Sequence, residues 1–177
     1  MFEFQPTLTG ALVEARPLRE SDFEALYAVA SDPLVWEQHP NPDRCERPVF
    51  EAFFRDAMNG GAAFAIYDRA SGDRIGSSRY HGFDAEKSVV EIGWSFLGRD
   101  YWGGTYNGDL KRIMLDHAFR FVNSVIFVIG SDNARSRRAV EKIGAVFDGV
   151  MVSPAGDERV VYRMTSARWA EVRAGDS

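Results

Sequence analysis

Three groups of residues in this chain have the types and spacing to do chemistry. The first is Trp102-Gly103-Gly104-Thr105-Tyr106-Asn107-Gly108, three glycines in seven positions. It sits between an alternating apolar run and a helically striped one, and reads as strand, tight turn, helix. Such a turn leaves backbone N–H groups unpaired at a helix N-terminus, which suits a phosphate-bearing ligand. The second is Asp132-Asn133-Ala134-Arg135-Ser136, the start of another helix, with Asn133 as its N-cap. The third is Glu91. Strict alternation places Glu91, Gly93 and Ser95 on one strand face and Val90, Ile92, Trp94 and Phe96 on the other. Small residues beside a carboxylate mark a face that meets a ligand rather than a packed helix. No Gly-Lys-Ser/Thr follows the turn, so it is not a Walker A loop, and no Gly-x-Gly-x-x-Gly follows a first strand.

These groups need elements to hold them. Leu12–Leu18 reads as a first strand ended by Pro17. Ser21, with Glu24 three residues on, has capping-box spacing for a helix carrying Phe23, Leu26, Tyr27 and Ala30 on one face. Asp32-Pro33 stops it. Residues 33–48 hold four of the seven prolines, with Trp36, His39 and Cys45, and read as an irregular loop able to rim a substrate pocket. Pro48 opens a helix with Phe50, Phe53, Phe54 and Met58 apolar, ended by Asn59-Gly60-Gly61. A meander follows at Ala62–Tyr67, Arg74–Phe83 and Val89–Leu97. The helix after the glycine turn carries Leu110, Met114, Ala118 and Phe121. Val125–Ile129 is uniformly apolar, which fits a central strand buried on both faces and parallel to a neighbour. Helix 133–143 ends at Gly144, strands Val146–Val152 and Arg159–Met164 form a last hairpin, and 166–173 a short helix with a tail at 174–177. The expected architecture is a single α/β (α+β mixed-sheet) domain over residues 1–177, a central mixed sheet flanked by helices.

Bulk properties narrow the class. The chain has 177 residues, 45% hydrophobic and 27% charged, in the range of a soluble domain with a proper core. Its net charge of −5 argues against general nucleic-acid or anionic-membrane binding, and mildly favours a cationic acceptor. Cys45 is the only cysteine, so neither an intrachain disulfide nor a multi-cysteine metal site is expected; three scattered histidines add no metal cluster. The N-terminus lacks the pattern of a signal peptide, and no apolar run reaches a membrane span, so a cytoplasmic location is the expectation.

This order of elements, with four segments in sequence, resembles the GNAT superfamily of acetyl-CoA-dependent N-acetyltransferases, specifically its ribosomal-protein N-terminal acetyltransferase branch. The segments are Ala15-Arg-Pro-Leu-Arg-Glu-Ser-Asp-Phe23, Val90-Glu-Ile-Gly-Trp-Ser-Phe96, Tyr101-Trp-Gly103 and Asp132-Asn-Ala-Arg-Ser-Arg-Arg-Ala-Val-Glu-Lys-Ile-Gly-Ala145. The resemblance spans Leu12 to Met164 and implies a GNAT-like acyl-CoA acyltransferase fold. The family's pyrophosphate loop, Gln/Arg-x-x-Gly-x-Gly/Ala, falls on Trp102–Asn107. Its two small-residue places hold Thr105 and Asn107, with Gly104 and Gly108 one residue to the side.

The resemblance implies acetyl-CoA as co-substrate, no metal, and an amine acceptor. Arg99 to Gly108 would offer N–H groups to the pyrophosphate, with Trp102, Gly103, Gly104, Thr105, Tyr106, Asn107 and Gly108 around it. Arg99, Lys111 and Arg112 would supply positive charge. Phe96 and Leu97 would present a strand edge to the pantetheine arm, and Asn133 would bond an arm amide while also capping its helix. Amine acetylation needs a base, because only the free amine attacks the thioester. Glu91 is the candidate, as base or simply as an attractor of a cationic amine. The tyrosine that many relatives place seven residues after the motif Asn is absent, for Val140 stands there. Ser136, in the first turn of its helix, is the candidate proton donor to the departing thiolate. It has the alternative of bonding local backbone. His81 would either enter the acceptor pocket or be a satisfied sheet residue. Transfer would be direct, in a ternary complex, since Cys45 is poorly placed as a nucleophile. Protein N-termini and small-molecule amines remain open as acceptors, and monomer and homodimer as assemblies. The alternative is a non-catalytic acyl-CoA-binding sensor or scaffold on the same fold.

Overall fold

The computed structural model describes residues 1–175. It opens with a strand that sequence patterning does not show, β1 (Leu8–Thr9), two residues long and paired antiparallel to β2 (Val13–Pro17). Two residues are too few for any period to register. α1 (Phe23–Ala30) follows a 3-10 turn at Glu20–Asp22. Its entry is held by Asp22, not Ser21: the Asp22 carboxylate accepts from the Arg19 N–H at 2.9 Å. The expected Ser21–Glu24 capping box is therefore corrected. Tyr67 and Arg74 also bond Asp22, which gives its carboxylate more partners than a surface serine has.

The proline-rich stretch carries two 3-10 helices, Pro33–Val35 and Pro42–Cys45, before α2 (Arg47–Gly60), which ends at Gly61 with φ +61. The meander is β3 (Ala63–Asp68), β4 (Arg74–Asp84) and β5 (Val89–Leu97). Then come α3 (Thr105–Ala118), β6 (Ser124–Gly130), α4 (Ala134–Lys142), the hairpin β7 (Val146–Val152) and β8 (Glu158–Thr165), and α5 (Ser166–Gly175). The helix thus runs into the expected tail, whose residues 176–177 lie outside the described residues.

The eight strands form one sheet in the order β1-β2-β3-β4-β5-β6-β8-β7. Every pair is antiparallel except β5–β6, which is parallel and hydrogen-bonded only over Val89–Glu91 against Ser124–Ile126. Beyond Glu91 the two strands part. Central β6 is less enclosed than its apolar sequence suggests: Ile126 and Val128 are half-buried, because the parting strands leave that face partly uncovered.

Each face of the sheet has its own core. α3 packs Leu110, Met114 and Leu115 with Phe64, Ile66, Val90 and Ile92 on one side. On the other, α1 and α2 pack Leu26, Phe50 and Phe54 with Trp36, Ala65 and Phe96. Val90 and Phe96 therefore lie on opposite faces, although simple alternation puts them together. The reason is a bulge. Between Ser77 and Arg79 of β4 the partner strand advances from Phe96 to Gly93, one residue more than β4 does. Trp94 takes up the extra residue with φ +51, a costly conformation for a side chain of that size. Ser95 is turned onto the α3 face, away from Glu91 and Gly93, which corrects the predicted Glu91–Gly93–Ser95 face.

Candidate active site

The bulge and the parting of β5 from β6 open the sheet, and two connected cavities occupy the opening. The larger is a cleft of about 370 Å³ between the end of β5, the glycine turn and the first turns of α4. Phe96 and Leu97 form one wall, and Gly103, Gly104, Asn107 and Gly108 line the turn. Asn133, Ser136 and Lys142 line the opposite side. The smaller, about 120 Å³, lies inside the split itself, where Gly93, Ser95, Phe127 and Gly130 meet Lys111 and Arg159. His39, Asn107, Asn133 and Ser136 border both.

The turn is built for close approach. Gly103 and Gly104 have φ of +106 and +110, where a side chain would be strained. A Cβ on Gly104 would stand 2.6 Å from the Lys142 Nζ, so the glycine leaves space for an ammonium over the N-terminus of α3. Backbone N–H groups, a positive helix end and a lysine converge there, which fits a pyrophosphate. Trp102 closes the outer wall: its Nε1 donates to the Leu97 carbonyl at 2.9 Å, and Arg135 stacks on its ring at 3.9 Å. Asn133 accepts from the Ser136 N–H at 3.1 Å as the N-cap of α4, and its amide nitrogen has no hydrogen bond among the described residues. The Ser136 hydroxyl is likewise unbonded among the described residues and lines both cavities.

Other predicted residues lie elsewhere. Arg99 pairs with Asp32, away from the turn. Tyr106 turns outward, its hydroxyl donating to Asp68 at 3.2 Å and its ring edge-on to Tyr101. Thr105 is exposed and borders neither cavity. Arg112 pairs with Asp109 and Asp116. Helical geometry explains these shifts: with α3 starting at Thr105, positions 105, 106 and 112 fall off the face that 104, 107, 108 and 111 share. Lys142 and Arg138 supply the cleft's charge instead. Sequence reasoning missed Lys142; its one signal was its place four residues after Arg138 and six after Ser136 on one helix. His81 is exposed against Trp94, with ring centres 4.9 Å apart, and reaches neither cavity.

Lys111 points inward. It is 4% exposed, and its Nζ donates to the Ser95 Oγ at 2.6 Å, which in turn meets the Ser78 Oγ at 2.7 Å. No carboxylate partners it among the described residues, and burial pushes its amine down to about 7. Glu91 itself lines neither cavity but lies against Gly93, which lines the inner one, with Oε1 2.9 Å from where a Cβ on Gly93 would stand. Among the described residues it has no hydrogen bond or ion pair. Burial raises its carboxyl to about 7, against the pull of Arg79 and Arg159. A group poised there holds or releases a proton near neutral pH.

A mixed sheet split at a bulged strand, with a glycine turn and a capped helix facing each other across the split, defines an acyltransferase of the GNAT class. The chain belongs to this family: its acetyltransferase (GNAT) domain model matches residues 13–146. Solved structures agree on the fold. A GCN5-related N-acetyltransferase from Brucella melitensis superposes with a TM-score of 0.86 at 20% identity, over 98% of this chain and 85% of that one. A putative acetyltransferase from T. thermophilus gives 0.79 at 25% identity, over 98% and 96%. Mycobacterium smegmatis RimJ, solved in complex with CoA-disulfide, gives 0.70 at 16% identity, over 97% and 93%. Membership implies acetyl-CoA-dependent acyl transfer.

Proposed function

We propose that this protein is an N-acetyltransferase that moves an acetyl group directly from acetyl-CoA to a primary amine in a ternary complex. The observation that carries the reading is the place of Glu91: a carboxylate with no hydrogen bond or ion pair among the described residues, against Gly93 on the wall of the cavity that opens from the cleft, its carboxyl raised by burial. Acetyl-CoA brings an activated thioester carbonyl. The cleft residues suit it: the Gly103–Gly104 turn and Lys142 hold the pyrophosphate, Phe96 and Leu97 flank the pantetheine arm, and the Asn133 amide bonds it. Glu91 takes the proton that an ammonium acceptor must lose. Ser136, at the N-terminal turn of α4 where N–H groups favour negative charge, donates toward the leaving sulfur. No cysteine borders either cavity among the described residues, which suits transfer without an acyl-enzyme. A protein N-terminus, as in the ribosomal-protein branch, and a small-molecule amine both fit this chemistry.

A thermal-shift titration with acetyl-CoA, CoA, ATP and NAD tests the cofactor class. A ligand at a hundredfold over its Kd adds about 2.7 kcal/mol. A rise with acetyl-CoA and CoA only is expected, followed by thiol release on an amine panel. Binding without turnover on any amine, unchanged by Glu91→Gln, would instead mark an acyl-CoA-binding module.

A further inference from the structure

The inner cavity is lined by several donor side chains and, among the described residues, by no carboxylate. His39, Arg44, Lys111 and Arg159 all line it. The His39 Nδ1 accepts from the Asn41 N–H at 3.0 Å, so the neutral ring carries its proton on Nε2. Burial, then Arg44, Arg159 and Arg135, hold this imidazole down at about 3, hence neutral. Yet the Arg44 Nη1 stands 3.3 Å from that same Nε2. Two donors therefore face each other. The Arg159 Nε is buried with no hydrogen-bond partner among the described residues.

The nearby carboxylates cancel only part of this charge. Asp56 is bonded to Arg79 and Asp157 to Arg159, while Arg44 has no ion pair among the described residues and lies over the Phe53 ring at 4.6 Å. Only Glu91 is free. Water could meet the stray donors but would not balance the charge of Arg44, or of Lys111 when it carries its proton. A carboxylate does both, because its two oxygens match guanidinium donors in a plane.

We propose that the inner cavity is a carboxylate-recognition subsite, so that the substrate joined at this centre carries a carboxylate near the reacting amine. The inference rests on the acetyltransferase reading and names its substrate class. The charge order, Glu91 on one side and, on the other, Arg44 without an ion pair and the Arg159 Nε without an acceptor among the described residues, is the complement of an ammonium beside a carboxylate. An amino-acid-like acceptor has that form. It is the opposite of the cationic acceptor that the chain's net charge of −5 suggests. A dicarboxylic acyl group on CoA would present the same anion, and the test separates the two sources.

CoA-saturated protein is titrated with L-amino acids, their carboxamides and spermidine, reading the further thermal shift; thiol release is then measured with acetyl-CoA. Acids are expected to bind and react at least tenfold better than their amides. Arg44→Gln and Arg159→Gln should bring that ratio toward one, and Arg159→Lys should keep part of it. Each variant's shift with CoA reports whether it folds. A second arm offers succinyl-CoA with the amides. A tenfold preference over acetyl-CoA there would support the subsite and assign the carboxylate to the acyl group. Amides or spermidine serving as well as acids, with no succinyl preference, would overturn the proposal. So would a ratio unmoved in both glutamine variants. Failure of CoA itself to shift the protein would strike the earlier reading instead.

Discussion

Two regions of the sheet treat buried polar groups in opposite ways. Where α3 crosses β1 and β2, Asp109 is buried and fully answered. It accepts from the N–H groups of Ala11, Leu12 and Val13 at 3.2, 2.8 and 3.0 Å, and from Arg112 at 2.8 Å. Its oxygen stands 2.2 Å from where a Cβ on Gly10 would be, so only glycine lets the loop close on it. Burial opposes its ionisation, but Arg112 and the three N–H groups outweigh that and hold the carboxyl below its ordinary value. Asp22 and Tyr80 are similarly bonded. Where β5 leaves β6, among the described residues Glu91 has no hydrogen bond or ion pair, Lys111 has one hydroxyl, and the Arg79 and Arg159 Nε atoms have no acceptor. A buried N–H without an acceptor costs about 1–3 kcal/mol, and a fold keeps such costs where a substrate relieves them. The closed corner carries stability and the open split carries chemistry.

Substitutions in the two carboxylates should therefore separate turnover from stability. Glu91→Gln is expected to lower kcat/KM by about 10²–10⁴-fold, the range of a lost general base. In the parent, kcat/KM should rise with pH up to about 7 and level off as Glu91 ionises. The stability effect has the other sign. The folded value of about 7 exceeds the ordinary 4.5, so the fold binds this proton more tightly and parental stability falls as pH rises between them. The Gln variant lacks that slope, and its melting temperature should match or exceed the parent's at pH 7. A large melting loss would make Glu91 a structural residue. Asp109→Ala should do the reverse. Stranding three N–H groups and Arg112 should remove about 3–5 kcal/mol, the range for breaking a buried pair. Denaturant unfolding checks this, with kcat/KM per folded molecule expected near the parent's. Because the folded carboxyl lies below its ordinary value, Asp109 contributes fully above that value and the contribution is lost as pH falls through the folded one.

The meander, the buried strand after α3 and the capped helix at Asn133 were legible because each rests on local pattern: alternation, a run of β-branched residues, an Asn before a helix. The glycine turn was legible too, as was the proline-rich loop's place at a pocket, since Val35, Trp36, His39 and Arg44 border the cavities. What was hidden depends on a single tertiary event. The bulge at Trp94 shifts the strand by one residue, so Ser95 changes face and meets Lys111 of α3. A strand's period assumes no such slip. Arg99, Lys111 and Arg112 all looked like phosphate ligands as charges near a turn. Their real partners, Asp32, Ser95 and Asp109, are 67, 16 and 3 residues away. The guanidiniums that line the inner cavity, Arg44 and Arg159, come from the proline-rich loop and β8, and no window of sequence unites them.

The smallest expected effect is the sharpest for the comparison, because one side chain could belong to either region. Lys111 stands on α3, the same helix as Asp109, but faces the split. If its amine is there for a substrate, the empty fold should be better off without it. Lys111→Met keeps the length of the side chain and removes the charge. It gives up one hydrogen bond to Ser95, worth about 1 kcal/mol, and removes a buried ammonium that has no counter-ion among the described residues. Apolar replacement of buried charges has stabilised proteins by about 1–4 kcal/mol, so a net gain of about 1–3 kcal/mol is expected at neutral pH. The pH dependence fixes the cause. The folded value of about 7 lies below the ordinary 10.5, so the unfolded chain holds this proton more tightly between them. Parental stability should rise with pH across that window, and the variant's advantage should be largest below pH 7 and fade toward 10.5. Urea unfolding on either side of neutrality measures it, beside turnover of the preferred acceptor, which should drop. A less stable variant with unchanged turnover would place Lys111 with Asp109, as a strut of the fold.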